Sequence, residues 1–309
     1  MNSAIKKKTD LSDINFLNWV DKWLPKSWRP YARLARLDRP VGTWLTLLPC
    51  LAALVQAAGG IPTISRLIIF SLGALIMRSA GSTINDIADR NFDAHVERTR
   101  FRPLASRQLK TYQAIVFLIA EFAFAAFLLL FLNPLSRWLA VGVIPIVIIY
   151  PFCKRFTYWP QLILGAAFNW GMLMAWSDTQ TIVPIGAIIM WAGAICWQIG
   201  YDTIYAYVDV ADDTKLKLRS TAILFGQRGK QWIGGFYIAT IILWTLGGWL
   251  LTMSALYFIG MIMLALHLTW QTWKINLAHP ALNFTLFRAN IITGIILLSA
   301  SFFGTFHLL

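Results

Sequence analysis

The chain has 309 residues, of which 58% are hydrophobic and 13% are charged, and its formal net charge is +13. Soluble globular domains are about 45–50% apolar, so this composition and a mean hydropathy of +0.60 exclude an ordinary water-soluble protein. The basic residues fall in short stretches between apolar segments, which argues against a nucleic-acid partner. The sequence therefore predicts an integral membrane protein.

The first thirty residues are predicted to form a cytoplasmic N-terminal tail before one domain over residues 31–309. The N-terminus lacks the apolar core of a signal peptide and the acid-free, Arg- and Ser-rich character of a transit peptide. We therefore expect a bacterial inner membrane rather than a mitochondrial one. Residues 16–28 mix Trp and Phe with Lys, and they form either an amphipathic helix in the membrane interface or a partly ordered tail.

Nine apolar segments follow, each close to the roughly 20 residues that a membrane-spanning helix requires. The fold class predicted from them is an all-α integral membrane bundle of nine transmembrane helices. The predicted spans are 41–58, 66–85, 112–132, 136–152, 159–177, 181–208, 231–252, 254–272 and 289–307.

The orientation follows from Lys and Arg, which are enriched in cytoplasmic loops. With the N-terminus in the cytoplasm and the C-terminus outside, 24 of the 27 basic residues lie on the cytoplasmic side. The three exceptions are Arg66, Arg78 and Arg137. This topology also brings two acidic clusters to the same face of the membrane.

The acidic residues are concentrated, because eight of fourteen fall in the two windows 86–97 and 202–213. In the first, Asp86, Asp89 and Asp93 are spaced i, i+3 and i+7, so that they share one face of a helix. Asn85 precedes them and adds a neutral oxygen. In the second, which begins at Asp202, we expect a shared face by the spacing i, i+7 and i+11. That face consists of Asp202, Asp209 and Asp213, together with Tyr205.

Carboxylates this close require a positive partner, and Mg²⁺ commonly bridges one or two carboxylates to a substrate phosphate. Basic residues near the same helix ends are suited to neutralising a departing diphosphate. The basic candidates for substrate contact are Arg98, Arg102, Lys154, Arg155 and Lys215. The pattern predicts an enzyme that handles diphosphate esters. No phosphate-binding P-loop and no HExxH zinc motif is present.

The two clusters resemble the paired aspartate motifs of the UbiA family of intramembrane prenyltransferases. NDIADRNFD (residues 85–93) is similar to the first motif, DTIYAYVDVADD (202–213) to the second, and Tyr150 with Lys154 to the YxxxK motif. Residues 36–49, 98–109 and 150–171 resemble the branch of the family that prenylates 4-hydroxybenzoate in ubiquinone synthesis. The loop DDTKLKLRSTA departs from the usual shorter form, which leaves open the basic residue that meets the diphosphate there.

The resemblance implies a central cavity with a cytoplasmic cap, Mg²⁺ as the cofactor, and a polyprenyl diphosphate and 4-hydroxybenzoate as substrates. The residues that it implies for catalysis are Asp86, Asp89, Asp202, Lys154 and Arg155. The metal ligands that it implies are Asp86, Asp89, Asp93, Asp202, Asp209 and Asp213. The acceptor carboxylate is expected on Arg36, Arg39 or Arg78, because a guanidinium binds carboxylates through two parallel hydrogen bonds. The substrate contacts are completed by Asn85, Tyr150 and Tyr205.

Two alternatives stay open at this point. One is a prenyltransferase of the same family for another aromatic acceptor, such as a naphthoate or homogentisate. The other is a cation-coupled membrane transporter, although transporters place their binding residues near the bilayer midplane on broken helices. The prenyl chain length, the base that removes the ring proton and the oligomeric state cannot be read from the sequence.

Overall fold

The structure is a computed structural model that describes residue 14, residues 18–96 and residues 98–306. Most of the predicted tail, residues 1–13 and 15–17, and Glu97 of the first acidic window lie outside the described residues. Within the described residues every regular element is helical, which confirms the all-α class. The helices are α1 (Trp19–Trp23), α2 (Arg29–Leu34), α3 (Val41–Ala58), α4 (Ile64–Asp93), α5 (Thr111–Leu129), α6 (Pro134–Cys153), α7 (Pro160–Phe168), α8 (Trp170–Gln180), α9 (Ile185–Ala206), α10 (Val210–Lys215), α11 (Thr221–Phe225), α12 (Gly229–Leu250), α13 (Ala255–Lys274) and α14 (Pro280–Gly304), with a short 3₁₀ turn at Gly226–Arg228.

Seven helical segments of the described chain are long and apolar enough to cross a membrane. This finding supports a multi-pass membrane protein, whereas the predicted count of nine spans is not confirmed. The seven segments are Val41–Ala58, Ile64–Asp93, Thr111–Leu129, Pro134–Cys153, Thr221–Leu250, Ala255–Lys274 and Pro280–Gly304.

The predicted span 159–177 is divided at Asn169 into the nine-residue α7 and the eleven-residue α8. Asn169 is buried, and its side-chain amide donates to the backbone oxygen of Gly165 and to Gln198 Oε1, each at 2.9 Å. The Gly165 oxygen also accepts from the Asn169 amide, so the Asn169 side chain adds a second hydrogen bond at the end of α7 and links this junction to α9.

The chain divides into two compact units. The first consists of the described residues of Met1–Gly42 and of Leu75–Phe127, and the second of Thr43–Ala74 and the described residues of Leu128–Leu309. Of the predicted interfacial stretch 16–28, residues 18–28 are described, and within them helix covers Trp19–Trp23. Val20 of this helix is buried, whereas Trp23 is 81% exposed.

Helices α9 and α12 of the second unit pack closely, because three glycines on α9 recur every seven residues. A Cβ added at Gly186, Gly193 or Gly200 would lie 2.7, 2.6 or 2.4 Å from a side-chain atom of Leu251, Trp244 or Tyr237, respectively. These partners, two on α12 and Leu251 directly after it, also recur every seven residues in the opposite direction, as two antiparallel helices require. Small residues of this kind let membrane helices approach closely, and this packing fixes the end of α9, where Asp202 lies.

A buried hydrogen-bonded network links α9 and α12 to the last two helices. Trp197 Nε1 donates to Asn290 Oδ1 at 2.7 Å, and Asn290 Nδ2 donates to Gln271 Oε1 at 2.9 Å. Tyr237 Oη also donates to Gln271 Oε1, at 3.3 Å. In a membrane interior such polar groups require internal partners, and here four helices supply them to one another.

Two basic residues that departed from the predicted charge bias have structural roles in the second unit. Arg66 Nε lies 2.7 Å from Asp178 Oδ2, and Arg66 Nη1 donates to the backbone oxygen of Phe131. Arg137 donates to the backbone oxygens of Leu129, Leu130 and Leu132, at the C-terminal end of α5. Both side chains contact groups at helix ends, which gives these two arginines structural roles independent of orientation.

Candidate active site

The first acidic motif forms the last turns of α4, which continues through Asp93. The sequence places Asp86, Asp89 and Asp93 on one helical face, and all three side chains are buried. Asn85, which lies beside that face, is half-buried. The helix therefore continues beyond the predicted span 66–85 and through the acidic residues, as their predicted common helical face requires.

Two arginines hold the carboxylate of Asp86. Arg36 Nη2 donates to Asp86 Oδ1 at 2.5 Å, and Arg102 Nη1 donates to the same oxygen at 3.2 Å. Arg102 Nη1 also donates to Asp93 Oδ2 at 3.0 Å. Arg102 thereby bridges two carboxylates that are two helical turns apart. Thr99 Oγ1 donates to the backbone oxygen of Asp93, which fixes the segment that carries Arg102 to the end of α4.

Arg36 occupies a backbone position that normally favours glycine. Its φ is 60°, the Arg36 amide donates to the oxygen of Arg33, and the Leu37 amide donates to the oxygen of Ala32. This is the Schellman arrangement that ends a helix, in which the left-handed residue is usually Gly. A left-handed conformation costs a non-glycine residue about 1–2 kcal/mol. The Arg36 side chain offsets this cost through its contacts with Asp86 and with the oxygen of Arg33.

The donor set of the first motif fits a hard cation. Asp86 Oδ2 is buried and has no hydrogen-bond partner among the described residues, although Asp86 Oδ1 accepts from two arginines. No group of three or more His, Cys, Asp or Glu side chains in the described chain has an arrangement that would hold a metal by itself. Mg²⁺ requires no such group, because it is commonly bound through one or two carboxylates plus phosphate and water oxygens.

Arg78 lies two turns before Asp86 on α4 and packs against the first turn of α3. A Cβ added at Gly42 would lie 2.4 Å from Arg78 Nε and 2.6 Å from Arg78 Nη2, so the guanidinium rests on the bare backbone of Gly42. Arg78 also donates to the hydroxyl of Ser82. The N-terminal end of a helix favours anions, and Arg78 adds a positive charge at the N-terminal end of α3.

The second acidic motif is not one continuous helical face, and this prediction was wrong. Helix α9 carries Asp202 and ends at Ala206, whereas Asp209 is the N-cap of α10 and Asp213 lies within α10. The three side chains are half-buried. The hydroxyl of Tyr207, just after the end of α9, donates to the backbone oxygen of Gly226, a contact that the local sequence does not indicate.

Tyr205 lies in an aromatic cluster next to Asp202. Its ring centroid is 4.7 Å from that of Phe287 and 6.1 Å from that of Phe284. Phe287 also lies 5.9 Å from Tyr201. This end of α9 therefore presents apolar rings beside an acidic group, an arrangement suited to the apolar part of an amphiphilic substrate.

The basic segment after the second motif is fixed against the loop that follows α6. The Arg219 amide donates to the backbone oxygen of Lys154 at 2.8 Å, and Arg219 Nη1 donates to the oxygen of Phe156 at 2.5 Å. The buried hydroxyls of Thr203 and Thr221 lie 2.6 Å apart. The structure thus brings the YxxxK segment and the RSTA segment together at one end of the second unit.

The other predicted site residues of the second unit are more exposed, and their described side-chain contacts are with residues close in sequence. Lys154 and Tyr150 are half-buried, whereas Arg155 is exposed and its guanidinium lies over the ring of Phe152. The side chain of Lys215 is 76% exposed and lies 3.4 Å from Asp212 Oδ1.

Two other predicted arginines belong to the first unit. Arg39 Nε lies 3.7 Å from the buried carboxylate of Asp38. Arg98 is half-buried.

Two features of the site were not predicted. Arg36 and Arg102 were predicted to contact substrates, and nothing in the sequence indicates that both contact Asp86, because these contacts span 50 and 16 residues. The contact between Gly42 and Arg78 was also not predicted. A signal for the latter was present, since a glycine inside an otherwise large-residue first turn of a helix suggests close approach of another group.

The sequence matches the UbiA prenyltransferase family over residues 46–294. The chain belongs to this family. Among its relatives, a protein of Drosophila melanogaster named 4-hydroxybenzoate polyprenyltransferase, mitochondrial, is 42% identical over 280 residues, covering 90% of this chain and 71% of that protein. A protein of a Shewanella species named 4-hydroxybenzoate octaprenyltransferase is 46% identical, covering 89% of this chain and 96% of that protein.

Solved structures share the fold. A UbiA homolog from Aeropyrum pernix has a TM-score of 0.72 at 22% identity, covering 84% of this chain and 96% of that chain. A UbiA homolog from Archaeoglobus fulgidus, solved with GPP and Mg²⁺ bound, has a TM-score of 0.68 at 21% identity, covering 88% and 98%. The described helices therefore form a UbiA-type fold, and family membership disfavours the transporter alternative.

Proposed function

We propose that this protein transfers a polyprenyl group from a polyprenyl diphosphate to the ring carbon ortho to the hydroxyl of 4-hydroxybenzoate, releasing diphosphate, in ubiquinone biosynthesis. Support comes from relatives of 42% and 46% identity whose names specify 4-hydroxybenzoate prenyl transfer. These relatives match about nine tenths of the chain, including both acidic motifs.

The structural observation that best supports the proposal is the burial and hydrogen bonding of the Asp86 carboxylate. Its side chain is 1% exposed, one oxygen accepts from Arg36 and Arg102, and the other oxygen has no hydrogen-bond partner among the described residues. A buried carboxylate with one oxygen left over is suited to binding a metal, and the two guanidinium groups beside it are suited to phosphate oxygens.

The proposed cofactor is Mg²⁺. The candidate ligands in the first motif are Asp86, Asp89 and Asp93, and those in the second motif, considered separately, are Asp202, Asp209 and Asp213. When bound, Mg²⁺ supplies charge neutralisation and orientation of the diphosphate. Lys154, Arg155 and Arg98 then compensate the charge of the diphosphate as its bond to the allylic carbon breaks. Tyr150 and Lys215 complete the proposed contacts, and Tyr205 with its neighbouring rings contacts the apolar prenyl chain.

We assign the acceptor carboxylate to Arg78 rather than to Arg36 or Arg39. Arg36 is held between Asp86 and the oxygen of Arg33, and Arg39 lies next to Asp38. Arg78 lies at the N-terminal end of α3 and about 12 Å before Asp86 along α4, at 1.5 Å per residue. A para-substituted ring can then place its carboxylate on Arg78 and its hydroxyl toward the acidic motif, beside Asn85.

We propose that α9 and the α7–α8 pair also cross the membrane, giving nine spans around a central cavity with a cytoplasmic cap. Helix α9 has 22 residues and is about 33 Å long, enough for a hydrocarbon core of about 30 Å. The bias of Lys and Arg supports a cytoplasmic N-terminus and an active site that faces the cytoplasm. The apolar helix faces let the prenyl chain extend toward lipid.

The experiment that tests this function is product formation by the purified full-length protein. It receives 4-hydroxybenzoate and geranyl diphosphate with and without Mg²⁺, and mass spectrometry identifies a carbon-linked prenyl product. We expect the product only with Mg²⁺, and loss of product in Asp86→Asn. The matched control is Asp212→Asn, which makes the same change at a half-exposed carboxylate and should retain activity. Full activity of Asp86→Asn would contradict the proposed metal role.

A competition among acceptors separates 4-hydroxybenzoate from the naphthoate and homogentisate alternatives. Equal concentrations of the acceptors are supplied with limiting geranyl diphosphate, and mass spectrometry measures the amount of each product. We expect the 4-hydroxybenzoate product to dominate. If another product dominates while Mg²⁺ dependence is retained, the reaction class stands and the acceptor assignment is wrong.

A further inference from the structure

Two buried guanidinium groups balance the charge of the first acidic motif. Arg36 and Arg102 both donate to Asp86 Oδ1, and Arg102 also donates to Asp93 Oδ2. The side chains in these pairs are 1–11% exposed. Water therefore screens these charges far less than it would on the surface.

The two arginines are expected to lower the affinity of the motif for a bare cation and to raise its affinity for a cation bound together with diphosphate. A divalent cation that approaches Asp86 alone meets two positive charges within the same small volume. At a few ångströms and an effective dielectric constant of about 20, one such charge lowers the affinity of a divalent ion by about a thousandfold or more. A diphosphate reverses the effect, because its oxygens accept hydrogen bonds from the same guanidinium groups.

We propose that Arg36 and Arg102 make the first motif a weak site for a bare divalent cation and a strong site for a cation together with prenyl diphosphate. Metal and prenyl diphosphate then bind cooperatively, and each raises the affinity of the other by the same factor. The arginines prevent occupation of the motif by free metal ions and favour the productive metal–diphosphate pair. This inference rests on the proposed function, because it assumes that the first motif holds the metal.

The effect of removing Arg102 on the affinity for metal alone distinguishes this inference from a role in which Arg102 only positions the carboxylates. If Arg102 only orients Asp86 and Asp93 as ligands, its removal weakens metal binding. If Arg102 opposes the bare cation, its removal strengthens metal binding in the absence of diphosphate and reduces the gain that diphosphate brings.

The test measures binding of Mn²⁺ to the purified full-length protein by the electron paramagnetic resonance signal of the unbound ion. Mn²⁺ is used alone and then with geranyl diphosphate, in the absence of acceptor. We expect Arg102→Gln to bind Mn²⁺ alone at least about tenfold more tightly than the original protein does. With geranyl diphosphate the order reverses, because the variant lacks one of the two phosphate partners.

Arg90→Gln is the matched control. Arg90 lies on the same helix four residues after Asp86, and it is exposed. Removing its charge should leave Mn²⁺ binding unchanged at physiological salt, because solvent screens exposed charges. Arg102→Lys keeps the charge and should bind Mn²⁺ alone as weakly as the original protein. Arg36→Gln carries the same expectation as Arg102→Gln if the latter does not fold.

Weaker or equal binding of Mn²⁺ alone by folded Arg102→Gln overturns the inference and leaves the proposed function standing. If the original protein binds no Mn²⁺ even with geranyl diphosphate, and Asp86→Asn keeps full prenylation activity, both the inference and the proposed metal site are wrong.

Discussion

Gly42 provides a way to move Arg78 without changing any charge in the protein. In Gly42→Ala, the added Cβ would lie 2.4 Å from Arg78 Nε and 2.6 Å from Arg78 Nη2. Favourable contacts between carbon-sized atoms begin near 3.5 Å, so the guanidinium must move by about 1 Å. Hydrogen bonds to both oxygens of a carboxylate depend on the position of the guanidinium fork, and a misplacement of about 1 Å can cost about a hundredfold in rate.

We therefore expect Gly42→Ala to raise the KM for 4-hydroxybenzoate by about tenfold to a hundredfold and to leave the KM for geranyl diphosphate unchanged. Loss of the fold is not the expected cause, since Ala is favoured over Gly inside helices by up to about 1 kcal/mol. Steady-state kinetics with each substrate varied in turn, together with thermal unfolding in detergent, measure both quantities.

Gly81→Ala is the matched control, because a Cβ at Gly81 meets no atom within 4 Å and Gly81 lies one turn after Arg78 on α4. It should leave both KM values unchanged. An unchanged acceptor KM in Gly42→Ala would refute the assignment of Arg78 to the carboxylate. A rise in the KM for geranyl diphosphate alone would indicate instead that Arg78 serves the diphosphate.

Three further predictions concern stability, measured by thermal unfolding of the purified protein. Asn283→Leu should be neutral or stabilising by up to about 2 kcal/mol, because both side-chain amide atoms of Asn283 are buried without a hydrogen-bond partner among the described residues; a clear loss of stability would contradict this. Asp178→Asn should destabilise by about 2–3 kcal/mol, since it leaves Arg66 without its charged partner in a largely buried pair. Arg36→Gly should be about 1 kcal/mol more stable than Arg36→Ala, because only glycine accepts φ near 60° without strain, and both variants should lose activity; equal stabilities would show that the backbone is not strained.

The spacing of residues correctly predicted which side chains share a helical face where the helix is continuous. Asp86, Asp89 and Asp93 lie on one buried face because α4 runs unbroken through all three. The same reasoning failed at Asp209, because α9 ends at Ala206 and Asp209 is the N-cap of the next helix. The hydroxyl of Tyr207 reaches the oxygen of Gly226, nineteen residues away, and no glycine or proline in the local sequence signals the turn.

The sequence pattern also does not indicate that Arg36 and Arg102 contact carboxylates of the first motif. A guanidinium is equally suited to a carboxylate of the protein and to a phosphate of a substrate, so residue type alone did not distinguish the two for Arg36 or Arg102. Only their positions in the fold do so. Similarly, a predicted span divides at Asn169, whose side chain donates to the Gly165 oxygen of α7, and asparagine at that position carries no distinctive sequence signal.

Arg36 combines a strained, left-handed backbone with a side-chain contact to the first acidic motif. A Schellman cap needs only a residue that tolerates a left-handed conformation, and glycine would do so without cost. The chain instead has an arginine there, whose side chain reaches Asp86 fifty residues later. Strained backbone positions are concentrated at functional sites, where the surrounding structure holds them. The arginine at the end of α2 thus gives Asp86 a buried positive partner, which agrees with the proposal that this motif binds a cation more strongly together with diphosphate.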